Sequence, residues 1–288
     1  MDETQAAKLT AELERIVLAR VSSGKLVLPA LPVVAQRCRE VLKDPDFNHK
    51  RLLQHMETEP MLVAIVMRSA NVAAYGSPTK NLDQAILRLG AEKLKSLVIE
   101  YGSRELFQSS DKRIADASKR IWEHSVAVAL LARDIAAFSG CADGDVCYIG
   151  GLLHDVGKPV LAAMLLELER QIGNGRAGWL DLSCWVKAVE LTHRKIGVAV
   201  ATEWKLPDEV ISAVRDCSDY DSGDRNGAAN VVRLANVIAK REGYSTGPID
   251  TDDTDAMVMV GRSMLGVDNE LIARLASGLK QRVGSVVA

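Results

Sequence analysis

The stretch Gly150-Gly151-Leu152-Leu153-His154-Asp155-Val156-Gly157-Lys158 sets an imidazole beside a carboxylate in a run that is otherwise almost wholly apolar. An ionised carboxylate buried without a partner is costly. A divalent cation is one partner that removes the cost. On a helix the two side chains project roughly 100° apart, so both can reach one ion on the same side. His124 precedes His154 by thirty positions, and a helix–turn–helix return over that distance brings it opposite the pair. The competing reading has Asp155 capping the helix at Pro159 or pairing with Lys158, with the histidines as satisfied core residues. The order and context of the three residues favour a metal site.

The elements that must position these residues read as helices. Leu9, Leu13, Ile16 and Val17 give a helix over 4–21, and Pro32 opens another that stops near Asp44-Pro45. Helices follow over 51–57, 61–71 and 83–89, with a turn at 75–78, a stop at Gly90 and a further helix over 91–107. His124 falls on a long helix over 114–138 and the His-Asp pair on a buried one over 146–155. Helices over 159–173, 181–204, 208–215 and 228–239 come next, the last two separated by a polar loop over 216–227. A second acidic loop over 245–255 leads to two short helices, 255–264 and 268–282.

Composition agrees. The 288 residues are 48% apolar and 4% aromatic, with 36 Lys plus Arg against 38 Asp plus Glu. Scarce alternating strands and abundant Ala, Leu and Val favour an all-α fold. The net charge of −2 argues against a nucleic-acid footprint. Apolar runs such as 126–132 and 159–166 are too short for a membrane span, and the acidic N-terminus is unlike a signal peptide. Five cysteines without a CxxC pair fit reduced thiols in the cytoplasm.

Several side chains have a structural reading. Cys141 and Cys147 flank a turn. Asp252-Asp253-Thr254-Asp255 lacks the Gly and terminal Glu of a calcium loop and reads as a helix cap. Arg68 and Asn71, three apart on one helix, read as hydrogen-bond bridges between two lobes, with a ligand contact as the alternative. His49 and His55 read as surface residues.

His124 followed by His154-Asp155 and Val156-Gly157-Lys158 resembles the HD phosphohydrolase superfamily. Leu28-Pro29-Ala30-Leu31-Pro32, Glu59-Pro60-Met61-Leu62, Arg68-Ser69-Ala70-Asn71 and Ala85–Gly90 resemble its HDOD branch, the HD-related output domain. Ala188–His193, Gly197 and Trp204-Lys205-Leu206-Pro207 agree. The resemblance covers residues 25–240. It implies an all-α, two-lobed HD-like domain: a helical bundle over about 25–110 and an HD-type helical core over about 111–240. A helix over 1–24 precedes it and a helical extension over 241–288 follows, with the seam near 108–113.

The resemblance also implies that catalysis has been lost. The position of the last metal-binding Asp carries Asn236, and the place of further His ligands carries Asp216-Cys217. His124, His154 and Asp155 remain, with His193 as a fourth candidate. Amide and thiol are poor replacements for the missing ligands, so a two-metal clamp is not expected. No catalytic residue is expected, Asp155 and Lys158 being vestigial. Lys158 is either the phosphate-facing cation of an active relative or a solvated residue before a helix break. No cofactor is expected beyond a weakly held divalent ion such as manganese, iron or magnesium.

The function so implied is a non-catalytic signal-transduction module of bacterial type. It would act by binding signalling proteins or a cyclic dinucleotide, and neither nucleic acid nor membrane. With no receiver, kinase or cyclase segment in the sequence, its signal is expected from a separate partner or a further domain. The alternative is a metal-dependent phosphohydrolase of the HD superfamily.

Overall fold

The computed structural model describes residues 28–72, 78–172 and 182–287, with a few isolated positions before residue 28. The helix expected over 4–21 and the turn at 75–78 lie largely outside the described residues. All regular structure within them is helical. The chain forms two compact units, one over 30–105 and one over 106–287 to which Pro29 also belongs.

The unit over 30–105 holds four helices: α1 (Val33–Leu42), α2 (His49–Met56), α3 (Pro60–Val72) and α4 (Leu82–Arg104). Pro32 takes an extended backbone and α1 begins at the next residue, burying Ala35, Cys38, Val41 and Leu42. Asn48 and Asn81 cap α2 and α4 by accepting from the backbone N–H three residues on. Gly90 (φ 72°, ψ 171°) interrupts α4, which accounts for the stop expected there. A short 3₁₀ turn over Glu105–Phe107 follows.

Arg68 and Asn71 find their partners inside this unit, which corrects the expected bridge between lobes. Asn71 Oδ1 accepts from Thr79 N (2.8 Å) and Thr79 Oγ1 (2.9 Å), pinning the chain ahead of α4. Arg68 lies 4.0 Å from the buried Glu100. His49 and His55 are half-buried, and His49 stands 3.5 Å from Asp83.

The other unit is built on α5 (Lys112–Ser139), whose residues 126–132 are all buried. Against it pack α6 (Gly144–Leu153), α7 (Gly157–Ile172) and α10 (Ala228–Arg241). Helices α8 (Leu182–Glu203) and α9 (Asp208–Asp216) complete this core. Trp204 Nε1 donates to Pro29 O at 2.7 Å and ties the chain entry to the end of α8.

The chain closes with α11 (Thr251–Leu265), α12 (Asn269–Ala276) and α13 (Leu279–Val287). The loop expected over 245–255 therefore ends sooner. Asp250 caps α11 by accepting from Asp252 N and Asp253 N, and the acidic residues of the first turn suit the positive end of the helix dipole. Gly278 (φ 80°) divides the single helix expected over 268–282 into α12 and α13.

The segment Gly144–Glu167, across α6 and α7, is long and apolar enough to cross a membrane, but 78% of its most apolar window is buried inside the protein. That is the pattern of a core helix.

Candidate metal centre

Helix α6 is apolar almost all round, and Cys147 to Leu153 are all buried. It ends at His154 (φ −57°, ψ −30°), and residues 154–156 form a tight turn before α7. The His-Asp pair thus lies in a turn, not inside a helix as its sequence suggests. His154 keeps right-handed helical angles, so the pair still diverges much as on a helix.

Two glycines set the distances. A Cβ at Gly151 would stand 2.9 Å from Ala129 Cα, so the backbones of α6 and α5 touch there and His154 comes beside His124. A Cβ at Gly157 would collide with the carbonyl of His193 and lie 2.9 Å from Gly197 N. The turn therefore abuts α8 at His193.

Four side chains converge. His124 Nε2 lies 3.2 Å from His154 Nε2. Asp155 Oδ2 lies 3.5 Å from His154 Nε2 and 3.8 Å from His124 Nε2, and Asp155 Oδ1 lies 3.4 Å from His193 Nε2. All four residues are buried. Candidate ligand atoms of His124, His154 and Asp155 fall within 4.8 Å of one another.

Backbone carbonyls orient the rings. His124 Nδ1 faces Tyr244 O (2.5 Å), His154 Nδ1 faces Gly151 O (2.7 Å), and His193 Nδ1 faces Glu190 O (2.9 Å) and Val189 O (3.0 Å). A carbonyl can only accept, so each Nδ1 carries its proton. In the neutral rings of His124 and His154, Nε2 then offers a lone pair to the centre. Two imidazole nitrogens and a carboxylate form a donor set suited to a divalent transition metal, and His193 adjoins it through Asp155.

The charge states fit. Burial pushes His124 down to about 4 and His154 down to about 3, with Asp155 opposing both shifts. Both rings are therefore neutral near pH 7, the state a metal needs. Burial raises Asp155, yet the surrounding His154, Lys158, His193 and His124 hold its carboxyl well below the usual carboxylate range. Lys158 Nζ donates to Asp155 Oδ2 at 2.5 Å, so the pairing weighed from sequence is present alongside the convergence.

The positions read as altered ligands part company. Asp216 is exposed and accepts two hydrogen bonds from Arg215 (2.7 and 2.8 Å), outside the donor cluster. Cys217 is fully buried and accepts from Arg194 Nη1 at 3.0 Å. Burial pushes its thiol up, against the pull of Arg194. Asn236 is buried on α10, and its Oδ1 has no hydrogen-bond partner. Cys147 is buried and its thiol is raised to about 12, in keeping with a structural role.

A model of the HDOD domain matches residues 28–220. The chain belongs to the HDOD family. A protein of unassigned role from Treponema pallidum is 26% identical over 223 residues, which cover 74% of this chain but 40% of that relative. This HDOD chain thus spans less than half the length of that curated relative.

A crystal structure from Shewanella amazonensis, of a protein provisionally named a metal-dependent phosphohydrolase, superposes with a TM-score of 0.83. It is 19% identical and covers 98% of this chain and 100% of that one. A protein from Marinobacter aquaeolei, provisionally named for signal transduction, superposes with a TM-score of 0.60 at 23% identity, over 90% of this chain and 58% of that one. These likenesses establish an HD-like helical fold. The HDOD match ends before Asn236, Lys240 and Tyr244, which complete the surroundings of the centre.

Tyr244 and the cations Arg194, Arg233 and Lys240 were not singled out from sequence. Tyr244 contributes a main-chain carbonyl, which leaves no residue-type signal. Arg233, Asn236 and Lys240 follow a 3-4 spacing on α10, a signal that was available.

Proposed function

We propose that this HDOD protein is a non-catalytic regulatory module that holds one divalent metal ion and acts by binding a signalling partner. One contrast carries the proposal. Of the donors for a single ion, the rings of His124, His154 and His193 are oriented by backbone carbonyls, and the Asp155 carboxylate is held by Lys158. The position that matches the last metal-binding Asp offers a neutral amide at Asn236, and the place of further ligands offers a buried thiol at Cys217 held by Arg194.

When bound, the metal supplies a fixed positive charge and Lewis acidity. The chain's own residues hold the rings of His124, His154 and His193 and a carboxylate toward that point, and burial keeps bulk water away. The unpaired Asn236 Oδ1 is an acceptor that a cation or its coordinated water can satisfy. Without a second metal, nothing in the described residues replaces the clamp on both the attacking and the leaving oxygens.

The partner is a signalling protein, with a cyclic dinucleotide as the second candidate. The signal-transduction name carried by the Marinobacter protein is in keeping with this reading. The free thiols of Cys38, Cys141, Cys147 and Cys217 suit a reducing compartment such as the cytoplasm.

Lys158, 2.5 Å from Asp155, favours a second reading as a metal-dependent phosphohydrolase, since a cation there can meet a phosphoryl oxygen. Purified protein supplied with manganese or iron(II) and screened on phosphomonoesters and cyclic dinucleotides separates the two. No turnover above the metal-only blank supports the regulatory reading. Turnover at enzyme-like rates that is abolished by Asp155→Ala supports the hydrolase.

A further inference from the structure

Each ring of the centre needs an acceptor for its Nδ1 proton, and the three find it in different ways. His154 uses Gly151 O, and His193 uses Glu190 O and Val189 O, carbonyls three or four residues back along their own segments. His124 uses Tyr244 O, 120 residues away. The first two acceptors come with the local backbone. The third is in place only because the chain turns in a particular way after α10.

Gly243 sets that turn. Gly243 N donates to Lys240 O (3.1 Å) and Tyr244 N to Ala239 O (3.0 Å), the paired bonds of a Schellman cap. Such a cap needs one left-handed residue, and Gly243 supplies it with φ 91°. Side-chain packing does not hold the turn from outside. A Cβ at Gly243 would meet nothing within 4 Å, and a cavity of about 330 Å³ is lined by Glu242, Gly243 and Tyr244 together with Ala276, Leu279 and Lys280. The backbone bonds of the cap therefore decide where the Tyr244 carbonyl points.

His124 has a competing choice. A neutral ring carries one proton. On Nδ1 the proton goes to Tyr244 O and leaves Nε2 free. On Nε2 it goes to His154 Nε2, 3.2 Å away, and both Nε2 atoms are then closed to an ion. In the absence of an ion, the facing lone pairs of the two rings favour the second tautomer. The Tyr244 carbonyl opposes it, because a lone pair on Nδ1 would face a carbonyl oxygen at 2.5 Å.

We propose that Gly243 is a positioning residue for the centre: its left-handed backbone aims the Tyr244 carbonyl at His124 and selects the tautomer whose Nε2 stays open. This rests on the single-ion reading above and deepens it. It extends the working unit to residue 244, past residue 220 where the HDOD match ends.

The test is nitrogen NMR of the full chain labelled in histidine and freed of metal by chelation, with the His124 signals assigned by their loss in His124→Gln. The unaltered chain should show His124 protonated at Nδ1. Gly243→Ala puts a side chain on a left-handed residue, so it should move His124 toward the Nε2–H form and weaken manganese binding by about tenfold or more. Gly266→Ala is the matched control, a left-handed glycine (φ 65°) at the end of α11 whose Cβ would also meet nothing within 4 Å. It should leave the tautomer and the affinity as they are. Gly243→Asn, which tolerates the left-handed conformation better than alanine, should keep the Nδ1–H form.

An unchanged ring in Gly243→Ala overturns the proposal, as does an equal shift in Gly266→Ala. So does an Nε2–H ring in the unaltered chain, which keeps the proposal testable even if Gly243→Ala does not fold. If the unaltered chain holds no manganese while Gly243→Ala still moves the tautomer, the single-ion reading fails and the role of Gly243 stands.

Discussion

His124 and His154 meet through Nε2 atoms 3.2 Å apart, each with its Nδ1 turned to a backbone carbonyl. Two lone pairs facing at that distance repel. A cation between them, or a proton on one of them, turns the contact into an attraction. Burial disfavours the proton, so the geometry favours the metal.

Acid should destabilise the metal-free protein. Both rings titrate at 6.5 when unfolded, but at about 4 (His124) and about 3 (His154) when folded. Above pH 6.5 neither state takes up protons at these rings, so stability is full. Between 6.5 and about 4 the unfolded chain binds protons that the native chain refuses, and stability falls. The contribution of Asp155, held well below 3.8, acts in the same direction and is lost at still lower pH. Melting temperatures from pH 8 to pH 4 should fall below 6.5, and His154→Gln should flatten the curve.

Gly157→Ala should loosen the centre from behind. The added methyl meets the carbonyl of His193, which is backbone and cannot rotate away. Overpacking of this kind costs about 1–3 kcal/mol or more. Displacing His193 should also weaken metal binding. Gly247→Ala is the control, since its Cβ would meet nothing within 4 Å. Denaturant unfolding and metal titration of both variants check this. Equal effects would contradict it.

Asn236 offers two opposite changes. Asn236→Leu removes a buried acceptor that has no partner, so the metal-free chain should be unharmed or gain up to about 1–3 kcal/mol. Asn236→Asp restores a carboxylate, which should tighten manganese binding and destabilise the metal-free chain by adding a buried charge. Paired calorimetry and melting measurements read both.

Much of this was legible in the sequence because it rests on local chemistry. Pro32, Pro60 and Pro207 mark helix starts because proline suits a first turn, and Gly90 marks a break because glycine accepts its positive φ. The His-Asp pair stood out because a carboxylate in an apolar run needs a partner. What escaped depends on tertiary placement. Asp216 and Cys217 are neighbours in sequence, but one is exposed beside Arg215 and the other buried under Arg194. The acidic run 252–255 read as a helix cap, but the cap itself is Asp250 just before it, and the run forms the first turn. Tyr244 acts through its backbone carbonyl alone.

The most direct test of the account is metal stoichiometry. Protein purified without chelator, or dialysed against manganese, should hold one ion per chain by mass spectrometry, and Asp155→Ala should hold none. A second tightly held ion per chain, or no ion in the unaltered protein, would contradict it.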